Sequence, residues 1–225
     1  MAANCSALRA TIMGLALLSA ACSQTTYVDI DVGHQDAGVL NPFDRVVEYQ
    51  VDLGLMASRP SCIAVGSVAV TDSHPHGQHM VNVVHSALLA RAQAVLHDIT
   101  ILEIPSDPTS AIFEASVQGC HHILFAQLFV QDESYLLIWS RKRIGIMVRL
   151  VRADDLEELW IAQHTASRCE GDIPLNPLGA AITIFRAKDF AEDKDVFPSM
   201  VDDAVRRIFE TFPVNGQTLA QRHSP

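Results

Sequence analysis

The run Asp72-Ser73-His74-Pro75-His76-Gly77-Gln78-His79 brings three imidazoles and a carboxylate close together in the chain, and His85 follows about one and a half helical turns later. Imidazole nitrogens at such spacing suit Zn or Cu. The run also follows an expected strand, the place where α/β sheets commonly bind ligands. Yet Pro75 and Gly77 are turn formers, and neither a cysteine nor an acidic cluster completes a coordination sphere, so a solvated loop has the stronger case. His74, His76 and His79 therefore stand as weak metal candidates, and no cofactor is expected.

Other reactive groupings are thinner. Catalytic nucleophiles are recognised by spacing, as in Gly-x-Ser-x-Gly or Ser-x-x-Lys, and neither pattern occurs. A Gly-x-Gly-x-x-Gly run or phosphate loop is also absent. The carboxylate pairs Asp154-Asp155, Glu157-Glu158 and Asp202-Asp203 fall at an expected turn or on an exposed helix face, where solvation outweighs acid–base work. His121-His122 opens a strand, and adjacent strand residues point to opposite faces, so the two rings do not converge on one ligand. Arg141-Lys142-Arg143 reads as a charged strand edge that discourages aggregation, with lipid headgroups or an acidic partner as the alternative. The chain is not expected to be an enzyme.

The elements that carry these residues follow from periodicity. Ser61–Val70 is a β-branched run suited to a buried strand, and Gln78–Leu96 places Val84, Leu88, Ala92 and Val95 at helical spacing. Ile99–Ile104 is a second strand, and Asp107-Pro108 announces a helix that Gly119 terminates. Two strand–helix units with short connections favour parallel pairing of the early strands. His121–Val130 is apolar on both alternating faces, so it is expected to be a central strand. A polar turn then leads into Tyr135–Arg152, and Asp154-Asp155 turns the chain into Leu156–Ser167, completing an antiparallel meander. Arg168–Lys194 reads as irregular, with apolar Ala180–Phe185 covering a sheet edge. Asp195–Phe212 is a helix whose Phe197, Val201, Val205, Ile208 and Phe212 recur at three or four residues. The fold class expected is α/β (α+β): a mixed sheet with two early strand–helix units, a three-strand meander and a C-terminal helix packed on it.

The N-terminus reads as an export signal. Arg9 precedes the apolar stretch Ala10–Leu18, well short of the ~20 residues that span a bilayer, and Ser19-Ala20-Ala21 ends the leader at residues 1–21. Leu17-Leu18-Ser19-Ala20-Ala21-Cys22 resembles the lipobox of bacterial lipoproteins, which implies a diacylglycerol on Cys22; ordinary cleavage after Ala21 is the alternative. Ser23 after that cysteine goes, in such lipoproteins, with the outer membrane. Residues 22–60 read as the lipidated N-terminus and a tether, with a short helix or edge strand over Arg45–Leu55, 61–213 as the folded domain and 214–225 as a polar tail. A net charge of -10 over 225 residues disfavours nucleic acid, since phosphates require a basic surface.

Export also permits thiol pairing. Cys62 opens the first strand and Cys120 precedes the central one, so parallel neighbours would put both at one end of the sheet, about 4.8 Å apart. A Cys62–Cys120 disulfide and three separate buried thiols, Cys169 included, both remain open on the sequence.

The order of elements over about Ser61–Phe212 resembles the envelope lipoproteins of the CsgG-like and LpoB-like (TolB N-terminal-like α/β) superfamily. The pieces that carry the resemblance are Gly119-Cys120-His121-His122-Ile123-Leu124 and the hairpin from Leu150-Val151 to Glu157-Glu158-Leu159-Trp160. At that turn the relatives often have Gly where this chain has Leu156, and Asp where it has Arg152. The resemblance implies a non-enzymatic protein anchored by lipid to the periplasmic face of the outer membrane. Such a protein would scaffold or regulate an envelope assembly or secretion system through protein contacts, and a homo-oligomer is compatible with that role. The alternative is a periplasmic metal- or small-ligand-binding protein using the His74–His79 loop.

Overall fold

A computed structural model describes residues 25–29, 45–57, 60–70, 77–104, 108–171, 176–214 and 217–218. Strands β1 (Thr25–Asp29), β2 (Arg45–Val51), β3 (Cys62–Val70), β4 (Thr100–Glu103), β5 (His122–Leu136), β6 (Trp139–Arg152) and β7 (Glu158–Gly171) form one mixed sheet in the order β1-β2-β7-β6-β5-β3-β4. The helices are α1 (Leu53–Ala57), α2 (Gly77–Val95), α3 (Pro108–Val117), α4 (Pro177–Glu192) and α5 (Val196–Phe209). Residues 213–218 add a two-stranded ladder, β8 (Pro213–Val214) with β9 (Gln217–Thr218).

The expected α+β architecture is the observed one. β3 pairs in parallel with both β4 and β5, and β5, β6 and β7 form the antiparallel meander. The main core lies between one sheet face and helices α2 and α5, with Ile63, Leu88, Leu124, Ile146, Trp160, Val201 and Ile208 among its buried members. Trp160 meets Phe212 edge to face at 5.1 Å, and its Nε1 donates to Thr211 Oγ1 at 3.1 Å, so the indole is both packed and satisfied. A smaller core on the opposite face sits under α3 and contains Ala64, Ile104, Ala111, Ala115, Ile123 and Val151. Gly119, at φ 75°, takes the left-handed conformation that closes α3, and the Cys120 N–H returns to the Ala115 carbonyl at 2.8 Å.

Four expectations need correction. The folded part does not begin at Ser61: β2 pairs with β7, and Val47 and Tyr49 are buried in strict alternation with partly exposed Val46 and Glu48. The short helix or edge strand expected over Arg45–Leu55 is β2 followed by α1, and β2 lies between β1 and β7 rather than at an edge. The polar turn expected near Gln131–Ser134 is strand, and the hairpin instead reverses at Leu137-Ile138. Asp132 meets Arg141 at 3.4 Å and Glu133 meets Lys142 at 3.6 Å, so cross-strand ion pairs hold turn-forming residues in a ladder. Consequently Arg141-Lys142-Arg143 lies in the middle strand of the sheet rather than at an edge. Finally, 177–192 is helical: Asn176 caps α4 by accepting from the Gly179 N–H at 2.7 Å, and Pro177 occupies its first turn.

Candidate functional site

Cys22, His74 and His76 lie outside the described residues. His79 is exposed in the first turn of α2, and His85 points elsewhere, its Nδ1 3.7 Å from a Glu103 carboxylate oxygen. Among the described residues no group of three or more His, Cys, Asp or Glu side chains is gathered as a metal site. Cys62 and Cys120 form a disulfide with Cα atoms 5.2 Å apart, while Cys169 is exposed and unbridged, so a set of three buried thiols does not hold.

The carboxylate pairs are engaged with arginines at the β6–β7 turn. Arg152 donates to Asp155 at 2.9 Å and to Glu157 at 2.5 Å, and Arg149 reaches Glu158 at 3.1 Å. The Glu157 N–H first, then Arg152, holds the Asp155 carboxyl below its usual range. In α5, burial works upward on Asp203, but hydrogen bonds from Arg207 and Arg206 outweigh it and lower the carboxyl. Burial, then the hydrogen bond from its hydroxyl to Glu210, raises the Tyr27 phenol. Burial, then Arg152 and His121, holds the His122 imidazole down against Asp154. His164 is buried with Nδ1 2.7 Å from the Val46 carbonyl, which fastens β2 to β7.

The distinctive region is the far end of the meander, where β5, β6 and β7 run past the rest of the sheet to Leu136, Trp139 and Gly171. On one face α4 covers it. There Lys142 is only 2% exposed; its Nζ donates to the Asp193 carbonyl at 2.7 Å and lies 5.6 Å and 5.2 Å from the ring centroids of Phe190 and Phe197. The lysine thus ties the α4–α5 corner to the sheet. On the other face Asp132, Ser134, Arg141, Arg143 and Thr165 are partly exposed.

At the tip the apolar residues turn outward: Leu136 is 68% and Leu137 65% exposed, flanked by exposed Tyr135 and Trp139. α4 presents a second exposed stripe, Leu178, Ile182 and Phe185, spaced to share one helix face. Of the twelve large apolar residues exposed among those described, these two places hold seven, so the exposure is concentrated rather than scattered. Two clefts elsewhere measure about 140 Å³ beside His164, Arg168 and Asp203 and about 270 Å³ beside Gln50, Asp52 and Glu158, smaller than ordinary ligand pockets. This geometry offers surfaces for contact.

The chain is similar to a subunit of a PelC dodecamer, a singly substituted form of the protein from Paraburkholderia phytofirmans, with a TM-score of 0.51 at 12% identity over 77% of this chain and 98% of that one. The fold is shared. At that identity the likeness shows fold alone. Lipoprotein GNA1162 of Neisseria meningitidis matches at TM-score 0.36 and 17% identity, over 60% of this chain and 100% of its own. The LpoB C-terminal domain of Escherichia coli matches at TM-score 0.34 and 16% identity, over 48% and 84%. No family model and no curated protein matches the chain.

The sequence reading missed both halves of the exposed apolar end. A signal was present in each: five consecutive apolar residues, Tyr135 to Trp139, are too many for a turn, and Asn176-Pro177 is a helix start.

Proposed function

We propose that the chain is a non-enzymatic lipoprotein, held on the periplasmic face of the outer membrane by a lipid on Cys22. It assembles with copies of itself and scaffolds or regulates an envelope assembly or secretion system. The observation that carries this reading is the placement of β1: it begins at Thr25, three residues after Cys22, and pairs with β2 into the main sheet. A domain wired so closely to its anchor would sit directly on the membrane. Self-assembly is supported by the fold shared with a subunit of the PelC dodecamer, and the contact surfaces of the overhanging end suit such a role. The kinship with CsgG-like and LpoB-like proteins belongs to the same proposal.

Labelled palmitate supplied to a Gram-negative host expressing the full chain tests the anchor. Wild type should take up label and Cys22→Ala should not; unlabelled wild type overturns the anchor. Sedimentation of the detergent-solubilised protein should show a species larger than one chain, and a monomer at all concentrations removes the assembly.

A further inference from the structure

The overhanging tip lies at the end of the sheet where the chain would leave for Cys22. β2 runs antiparallel to β7 with Val47 opposite His164, so Arg45 falls level with Ala166, and Thr25 is paired with Arg45. β7 continues five residues further to Gly171, which is opposite Trp139. Five strand residues are about 17 Å, whereas the three residues from Thr25 back to Cys22 reach at most about 10 Å. The tip therefore extends about 7 Å past the furthest reach of Cys22 along the strands.

We infer that Tyr135–Trp139 is a membrane-contacting tip that inserts into the interface of the bilayer that holds the anchor. The depth agrees with interfacial apolar insertion, roughly 5–10 Å into the headgroup boundary. The composition agrees as well. Tyr135 and Trp139, whose amphipathic rings settle at headgroup level, flank Leu136-Leu137-Ile138, and Ser134 to Ser140 carries no charge in a chain of net -10. α4 starts six residues after Gly171, within about 21 Å, so Leu178 begins a second apolar stripe near the same end. Lys142, turned into the α4–α5 corner, gives the hairpin a rigid base from which to insert. This inference rests on the proposed anchor for which bilayer is met and for the depth of insertion; the tip's affinity for lipid is its own property.

The test uses the full chain as Cys22→Ala, so that no acyl chain contributes, with vesicles of three parts phosphatidylethanolamine to one part phosphatidylglycerol. Cosedimentation should show binding that the triple variant Leu136→Ser, Leu137→Ser, Trp139→Ser weakens at least about tenfold, since each buried apolar side chain is worth about that much. Brominated lipid should quench tryptophan emission, and Trp139→Phe should abolish the quenching while keeping the binding, because Trp160 is buried. The triple variant should melt within a few degrees of its parent, as exposed positions do. Binding unchanged by the triple variant, or emission untouched by brominated lipid, overturns the inference. So does a tip variant that only dissociates an oligomer, which would make the surface a contact between copies. Palmitate labelling is independent of all these outcomes, so the anchor and the tip stand or fall separately.

Discussion

The two ends of the β5–β6–β7 meander spend the same kind of residue in opposite ways. At the root, Ile123 and Val151 sit in the small core under α3 while Leu124 and Leu150 sit in the large one, so β5 and the adjoining end of β6 are covered on both faces. The Cys62–Cys120 bridge closes this end. At the overhang, α4 roofs one face, and Leu136, Leu137 and Trp139 face solvent. Residues that stabilise the fold at one end are left unpartnered at the other. A strand pair extended beyond its core gains little by burial, which points to a use for the extension outside the chain.

Breaking the root should cost most. The bridge spans 58 residues of sequence, and in the chain-entropy model such a closure contributes about 4 kcal/mol. Replacing Cys62→Ser with Cys120→Ser should lower the urea midpoint accordingly, and peptide mapping without reductant should recover the pair joined. A loss well under 1 kcal/mol would mean that the root is held by packing alone.

Removing the tie at the overhang should cost less and act locally. Lys142→Ala deletes the hydrogen bond to the Asp193 carbonyl and a cation over two rings, a loss of about 1–3 kcal/mol. Amide exchange should accelerate in α4 while β3 and the root of β5 keep their protection. Equal acceleration in both would erase the distinction between the two ends.

The smallest change should be a gain. Leu156 adopts φ 60° in the turn at the root, a left-handed conformation that costs a side-chain-bearing residue about 1–2 kcal/mol, and its side chain is exposed. Leu156→Gly removes that cost but adds chain entropy to the unfolded state, for a net gain of about 0.5 kcal/mol. A lower urea midpoint in this variant would show that the leucine packs usefully.

What was legible in the sequence was local and repeated. β-branched runs marked β3 and β4, helical spacing marked α2 and α5, and the positions of Cys62 and Cys120 at the starts of two parallel strands made their bridge thinkable. The β6–β7 turn at Asp154-Asp155 was equally plain. What only the tertiary structure decided depends on partners far along the chain. β2 is a strand because β7, more than a hundred residues later, offers it a ladder and a carbonyl-bound His164. Asp132 and Glu133 stay extended because Arg141 and Lys142 face them, against their own preference for turns. α4 escaped notice because apolar residues lie on its exposed side as well as its buried one, which blurs the period that reveals an amphipathic helix. Hydrophobic patterning reports where a segment meets its own core, so a surface made for something outside the chain is visible only once the core has claimed its share.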